Sequence, residues 1–114
     1  MHEGCTVDLQ MEKVISVDGI FDEGTHHCTI IQYEKDEDFI RLRLMEDDLS
    51  VISLDAKYRC YIDTKEQFLL CSGVVQKRFR GEDHNIIIFR IENGFYIIPE
   101  NKVPLKRRSQ QIIK

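Results

Sequence analysis

The sequence predicts an all-β fold: a small antiparallel barrel of six to seven strands, closed or split, with at most one or two short helices. Three observations lead there. The hydrophobic period is two rather than 3.6, the apolar runs are rich in β-branched and aromatic residues, and polar clusters with Gly, Asn and Asp separate them. An open sheet of such strands would leave edges that invite aggregation, so closure is expected.

Val7, Leu9 and Met11 alternate with Thr6, Asp8 and Gln10, and Val14, Ile15 and Val17 continue the run. This predicts a long first strand bent near Glu12 and Lys13, with a short helix over 8–15 as the alternative. Asp18-Gly19 and Glu23-Gly24 mark turns. Residues 28–33 read as a strand, and the charged turn 34–38 joins it to 39–44, where Ile40, Leu42 and Leu44 oppose Arg41 and Arg43. Residues 46–53 fit a turn or a short helix capped by Asp48.

Ala56, Tyr58, Cys60 and Ile62 share one face of the next strand. Residues 67–80 form the longest strand, and Gly73 inside it signals a bulge or sharp bend. The succession Ile86-Ile87-Ile88-Phe89 predicts a strand buried on both faces. Asn93-Gly94 reads as a hairpin turn, because both residues tolerate positive φ, and it feeds a last strand 95–98 ended by Pro99.

A chain of 114 residues, 42% of them hydrophobic, suits one core, expected over 1–102, followed by a basic tail at 103–114. A net charge of −4 argues against nonspecific nucleic-acid binding. No segment is long and apolar enough for a membrane helix, and no basic-then-apolar leader opens the chain. Cys5, Cys28, Cys60 and Cys71 match neither a CxxC zinc pattern nor a secreted disulfide framework. Free, buried thiols in a reducing cytoplasm are the expectation.

No enzyme, metal or cofactor is expected. On a strand, His26 and Cys28 share a face that His27 cannot join, so the trio reads as a polar turn entering a strand rather than as a zinc site. Cys71 with His84 lacks any sign of a lowered thiol pKa or an oxyanion hole. The carboxylates at 34–38 and 46–48 crowd into solvated turns, whereas acid–base work needs them in unlike, partly dry surroundings.

Two surfaces remain. Arg41 and Arg43, with Lys77, Arg78 and Arg80, are candidates for holding a phosphate-bearing ligand, a nucleotide for instance. Tyr33, Tyr58, Tyr61, Phe79 and Tyr96 are candidate stacking platforms. An ordinary charged outer face explains the same residues and is preferred. The second surface is the tail, where Lys106, Arg107 and Arg108 with Ile112 and Ile113 are expected to serve self-association or an unknown protein partner.

Leu54-Asp55-Ala56-Lys57-Tyr58-Arg59-Cys60-Tyr61 carries a hydrophobic-x-tyrosine strand, and Ser72-Gly73-Val74-Val75-Gln76-Lys77-Arg78-Phe79 a small-Gly-Val-Val-x-x-Arg strand. Asn85 to Ile91 and Gly94 to Ile97 then supply a last hairpin. In this order the cues resemble the N-terminal barrel that precedes PilZ domains in flagellar-brake-type proteins, and Val103 to Arg108 resembles the linker into the PilZ domain. The resemblance implies a bacterial cytoplasmic regulatory barrel linked to cyclic di-GMP signalling. PilZ binding uses Arg-x-x-x-Arg followed downstream by Asp/Asn-x-Ser-x-x-Gly. Here Gln111 and Ile112 follow Arg107 and Arg108 by four residues, while Asp48-Leu49-Ser50-Val51-Ile52-Ser53 precedes them and ends in Ser53 where the family has glycine. The family's binding motif is therefore incomplete, and none of its residues carries over.

Overall fold

The computed structural model describes residues 2–99, so the tail with Lys106, Arg107 and Arg108 lies outside the described residues. Six strands close into an antiparallel barrel: β1 (Thr6–Val14), β2 (Thr25–Glu34), β3 (Phe39–Leu44), β4 (Ala56–Asp63), β5 (Phe68–Arg80) and β6 (Asn85–Ile98). Around the barrel the order is β1-β2-β3-β6-β5-β4, and β4 returns to pair with β1. β4, β5 and β6 form a meander and β3 lies beside β6, a Greek-key arrangement that requires one long crossover between β3 and β4. That crossover holds the only helical piece among the described residues, a 3₁₀ turn at Leu49–Val51 capped by Asp48.

Alternation decides the interior. Val7, Leu9, Ile40, Leu42, Ile62 and Phe89 meet in a closed core, and Ile52 of the crossover plugs one end of it. Cys28, Cys60 and Cys71 are free thiols within this core, and Cys60 stands opposite Cys71 in the β4–β5 register. Burial holds the Cys28 thiol far above its ordinary pKa. A hydrogen bond with Cys71, reinforced by burial, raises that of Cys60.

β1 bends as expected, with a register break between Met11 and Lys13, and the helix over 8–15 does not form. The apolar run beyond Val14 does not extend the strand, however. The Ile15 amide donates to the Asp55 carbonyl at 2.8 Å, and the chain then turns back so tightly that a Cβ on Gly19 would meet Val14 Cγ1 at 2.1 Å. Ile15 and Val17 are consequently on a loop, not in the barrel wall.

Gly73 is where β5 bends, with register breaks against β6 on both sides of Ser72. An added Cβ there would lie 1.9 Å from the Arg90 carbonyl oxygen, so only glycine admits this approach of the two strands.

Asn93-Gly94 forms no hairpin. β6 runs unbroken from Asn85 to Ile98, and neither residue takes the positive φ that such a turn needs. The 13-residue β5 supplies partners along this whole length, from Asn85 opposite Arg80 to Ile98 opposite Phe68. Continuous pairing with β5 therefore overrides the local turn preference. The φ values above zero among the described residues occur instead at His2, Gly4, Asp38 and Lys65.

Candidate functional site: the loop-bearing end of the barrel

Antiparallel order gathers three connections at one end: 15–24, the crossover 45–55 and the turn 81–84. We call this end the apex. His26, near the start of β2, points inward and is buried there. Its Nδ1 lies 2.6 Å from Glu46 Oε2 and its Nε2 lies 2.6 Å from Asp22 Oδ2. Burial by itself lowers the imidazole pKa, but the hydrogen bonds to both carboxylates outweigh it and the net shift is upward. Asp22 is correspondingly held below the usual carboxylate value, chiefly by its hydrogen bond with His26. With both ring nitrogens facing carboxylates, the imidazolium is the form that donates to each.

This clamp fixes the loop 15–24 at its base. The Asp22 amide donates to Met11 Sδ at 3.3 Å, and Asp22 Oδ1 accepts from the Gly24 amide at 2.8 Å. What the loop displays is unusual for a surface segment. Val17 is 99% exposed, Ile20 87%, Ile15 57% and Phe21 49%, and Leu54 of the crossover is exposed as well.

The crossover is pinned from the other side. Asn85 Nδ2 donates to the carbonyls of Glu46 and Asp47, each at 3.0 Å, and Arg78 Nη1 donates to the Ile52 carbonyl. The Ser53 amide donates to the Tyr58 hydroxyl at 2.8 Å. Buried Asn85 and Tyr58 thereby satisfy backbone groups of an irregular segment that would otherwise be costly to pack on the core.

The five basic candidates separate into two groups. Arg41 aligns through Ile88 with Lys77, and Arg43 aligns through Ile86 with Phe79, so these four border a single outer face on β3, β6 and β5. Ile86 and Ile88 are buried although they face outward. Long side chains flank them on both neighbouring strands, and the first five residues of β6, Asn85 to Phe89, are buried on both faces, whereas the rest of the strand is half-buried or exposed. Arg41, Arg43 and Lys77 have no ion-pair partner among the described residues. Arg78 aligns with Ile87, on the opposite side of the sheet, and serves the crossover. Arg80 aligns with Asn85 and approaches its Oδ1 at 3.5 Å.

The aromatic candidates do not collect on that face. Tyr58 is in the core and Tyr61 is buried, while Tyr33 packs edge-on against Phe95 with ring centroids 5.3 Å apart. Phe79 alone stands beside the outward arginines. Clefts of about 270, 220 and 210 Å³ occur at the surface, the first lined by Gly4, Cys5 and Asp63. Ligand pockets usually begin near ~300 Å³ and enclose most of the ligand, which these open clefts do not.

His26 and Cys28 do share a face, but both nitrogens of His26 are engaged by carboxylates and the Cys28 sulfur lies 4.0 Å from the His26 carbonyl. Among the described residues no group of three His, Cys, Asp or Glu side chains is arranged to hold a metal. His27 sits on the opposite face, with Nδ1 2.7 Å from Asp8 Oδ1. Also among the described residues, no helix is long and apolar enough to cross a membrane.

Sequence reasoning missed the carboxylates of the clamp. Asp22 stands four residues before His26, but that spacing carries meaning only on a helix, and Glu46 is remote in the chain. The apolar loop had a legible signal, since Asp18-Gly19 interrupts the run that Val17 would otherwise extend. Comparison with protein-family models, with curated proteins and with solved structures finds no match for this chain.

Proposed function

We propose that this chain is a non-enzymatic regulatory or protein-interaction barrel, PilZ-like in architecture, acting in a bacterial cytoplasm. The observation that carries the reading is the apex loop, where Ile15, Val17, Ile20 and Phe21 are displayed while the base of the loop is clamped to β2 and the crossover. A protein that needed these side chains only for its own stability would bury them, since each buried aliphatic side chain contributes about 1.5–3 kcal/mol. Held outward on an anchored loop, they suit a partner's apolar surface. The raised thiols of Cys28 and Cys60, the core position of Cys71, and the engagement of Asp22 and Glu46 by His26 support a reading without catalysis at these groups.

A photo-crosslinking side chain placed at Val17 tests this reading, with the same group at Thr29 as control. Crosslinked partner at Val17 alone, abolished by Ile20→Asp, is expected. Equal yields at both positions would remove the support.

One observation favours a second reading, a phosphate- or nucleotide-binding face. Arg41, Arg43 and Lys77 are cations without ion-pair partners among the described residues, and they flank Ile86, Ile88 and Phe79 on one sheet surface. Calorimetric titration with cyclic dinucleotides and with short RNA at two salt concentrations discriminates, because phosphate contacts are strongest at low salt. Absence of heat at low salt eliminates this reading.

A further inference from the structure

We propose that the apex loop receives the basic, apolar segment 102–114 of a second copy of this chain, giving a head-to-tail assembly. The inference rests on the docking reading above and names the occupant. The apex is acidic as well as apolar: beyond the two carboxylates engaged by His26, Asp18 and Glu23 lie on the loop, and Asp47 and Asp48 on the adjoining crossover. The complement is present in the same sequence. Residues 102–114 hold five lysines and arginines and no acid, together with Val103, Leu105, Ile112 and Ile113. Acidic rim meets basic rim, and aliphatic side chains meet aliphatic side chains. The same acids disfavour an anionic membrane surface as the occupant.

Geometry assigns the segment to a neighbour. β1 runs toward the apex and β6 runs away from it, so the chain leaves Pro99 at the opposite end of the barrel. The principal extents are 38 × 29 × 28 Å, and crossing that distance consumes about 8 to 11 residues even when fully extended. Within one molecule only Ile112 and Ile113 would then reach Val17 and Ile20. A second copy can offer the whole segment. Because loop and segment are different surfaces, the contact is heterologous, and a pair of copies retains one free loop and one free segment.

The test is sedimentation velocity of the full chain over a concentration series at low and high salt. Val17→Asp/Ile20→Asp disables the loop, and Arg107→Glu/Arg108→Glu disables the segment; circular dichroism confirms that each variant folds. The wild type is expected to grow beyond a dimer with concentration, more so at low salt. Each variant alone should associate about a hundredfold more weakly. Mixed one to one, the two variants should form a dimer and nothing larger, since only one intact loop and one intact segment remain. If the loop variant dissociates while the segment variant assembles like wild type, the occupant is wrong and the docking reading survives. If neither variant changes the assembly, the loop's part in self-association falls too. A wild type that stays monomeric to about 1 mM, or that floats with anionic vesicles through Val17 and Ile20, overturns the proposal.

Discussion

His26 Nε2 stands 2.6 Å from Asp22 Oδ2, and this contact ties the base of an outward-facing apolar loop to the start of β2. Glu46 holds the other ring nitrogen, so one buried imidazole joins two of the three apical connections. The loop can display Val17 and Ile20 because its base is fixed by charge and hydrogen bonding rather than by burying its own apolar residues.

The clamp should give stability a defined pH dependence. The His26 pKa is raised on folding, so its contribution is complete below the ordinary value of 6.5 and is lost as pH rises through the higher folded value. Asp22 is lowered, so its contribution is complete above 3.8 and is lost as pH falls through the folded value beneath that. Denaturation followed from pH 4 to 9 should show stability declining above pH 6.5 in the wild type. His26→Gln should lose that slope and about 2 kcal/mol at pH 6, less than a fully buried pair because both carboxylates are a third exposed. An unaltered slope in the variant would assign the effect to another group.

Gly73→Ala should be among the most damaging single changes, costing more than about 3 kcal/mol. Its Cβ would meet backbone, the Arg90 carbonyl oxygen at 1.9 Å, whereas at Gly94 the nearest atom is the Ile91 side chain at 2.9 Å. Urea melts of the two alanine variants should therefore differ widely. Equal losses would contradict the close approach of β5 and β6 at Gly73.

Much of this architecture was legible in the sequence, for a physical reason. Alternation in 39–44 and 56–62, and Gly73 within 67–80, report local geometry, and local geometry is what periodicity encodes. The bend near Glu12 and the Asp48 cap belong to the same class. Asn93-Gly94 misled because a turn propensity of two residues competes with fourteen residues of strand pairing that the sequence does not display. The clamp was hidden likewise: Asp22, His26 and Glu46 meet only because β2 lies between a loop and a crossover. The basic candidates show the limit most clearly. Lys77 and Arg78 are adjacent in sequence yet face opposite sides of β5, and only register reveals which one stays with Arg41.

That division has its own test. Arg78→Ala should cost about 1–2 kcal/mol, because carbonyls of the crossover lose their donor. Arg43→Lys keeps an apolar stem over Ile86 and should stay within about 0.5 kcal/mol of wild type. Thermal melts of the pair read the difference. A neutral Arg78→Ala would mean that Asn85, Tyr58, His26 and Ile52 hold the crossover without it.

The thiols should prove inert. With Cys28, Cys60 and Cys71 in the core, an aromatic disulfide reagent at pH 8 should label the folded chain only at the partly exposed Cys5, and all four after unfolding. Rapid native labelling of Cys71 would reopen a nucleophilic role.

The central claim, that the apex loop is the docking surface, is tested most directly by amide chemical shifts of the full chain over a dilution series. The account predicts concentration-dependent shifts at 15–24, at 53–55 and within 102–114, with Arg41, Arg43 and Lys77 on the β3–β6–β5 face unmoved. Shifts on that basic face with a silent apex would contradict it.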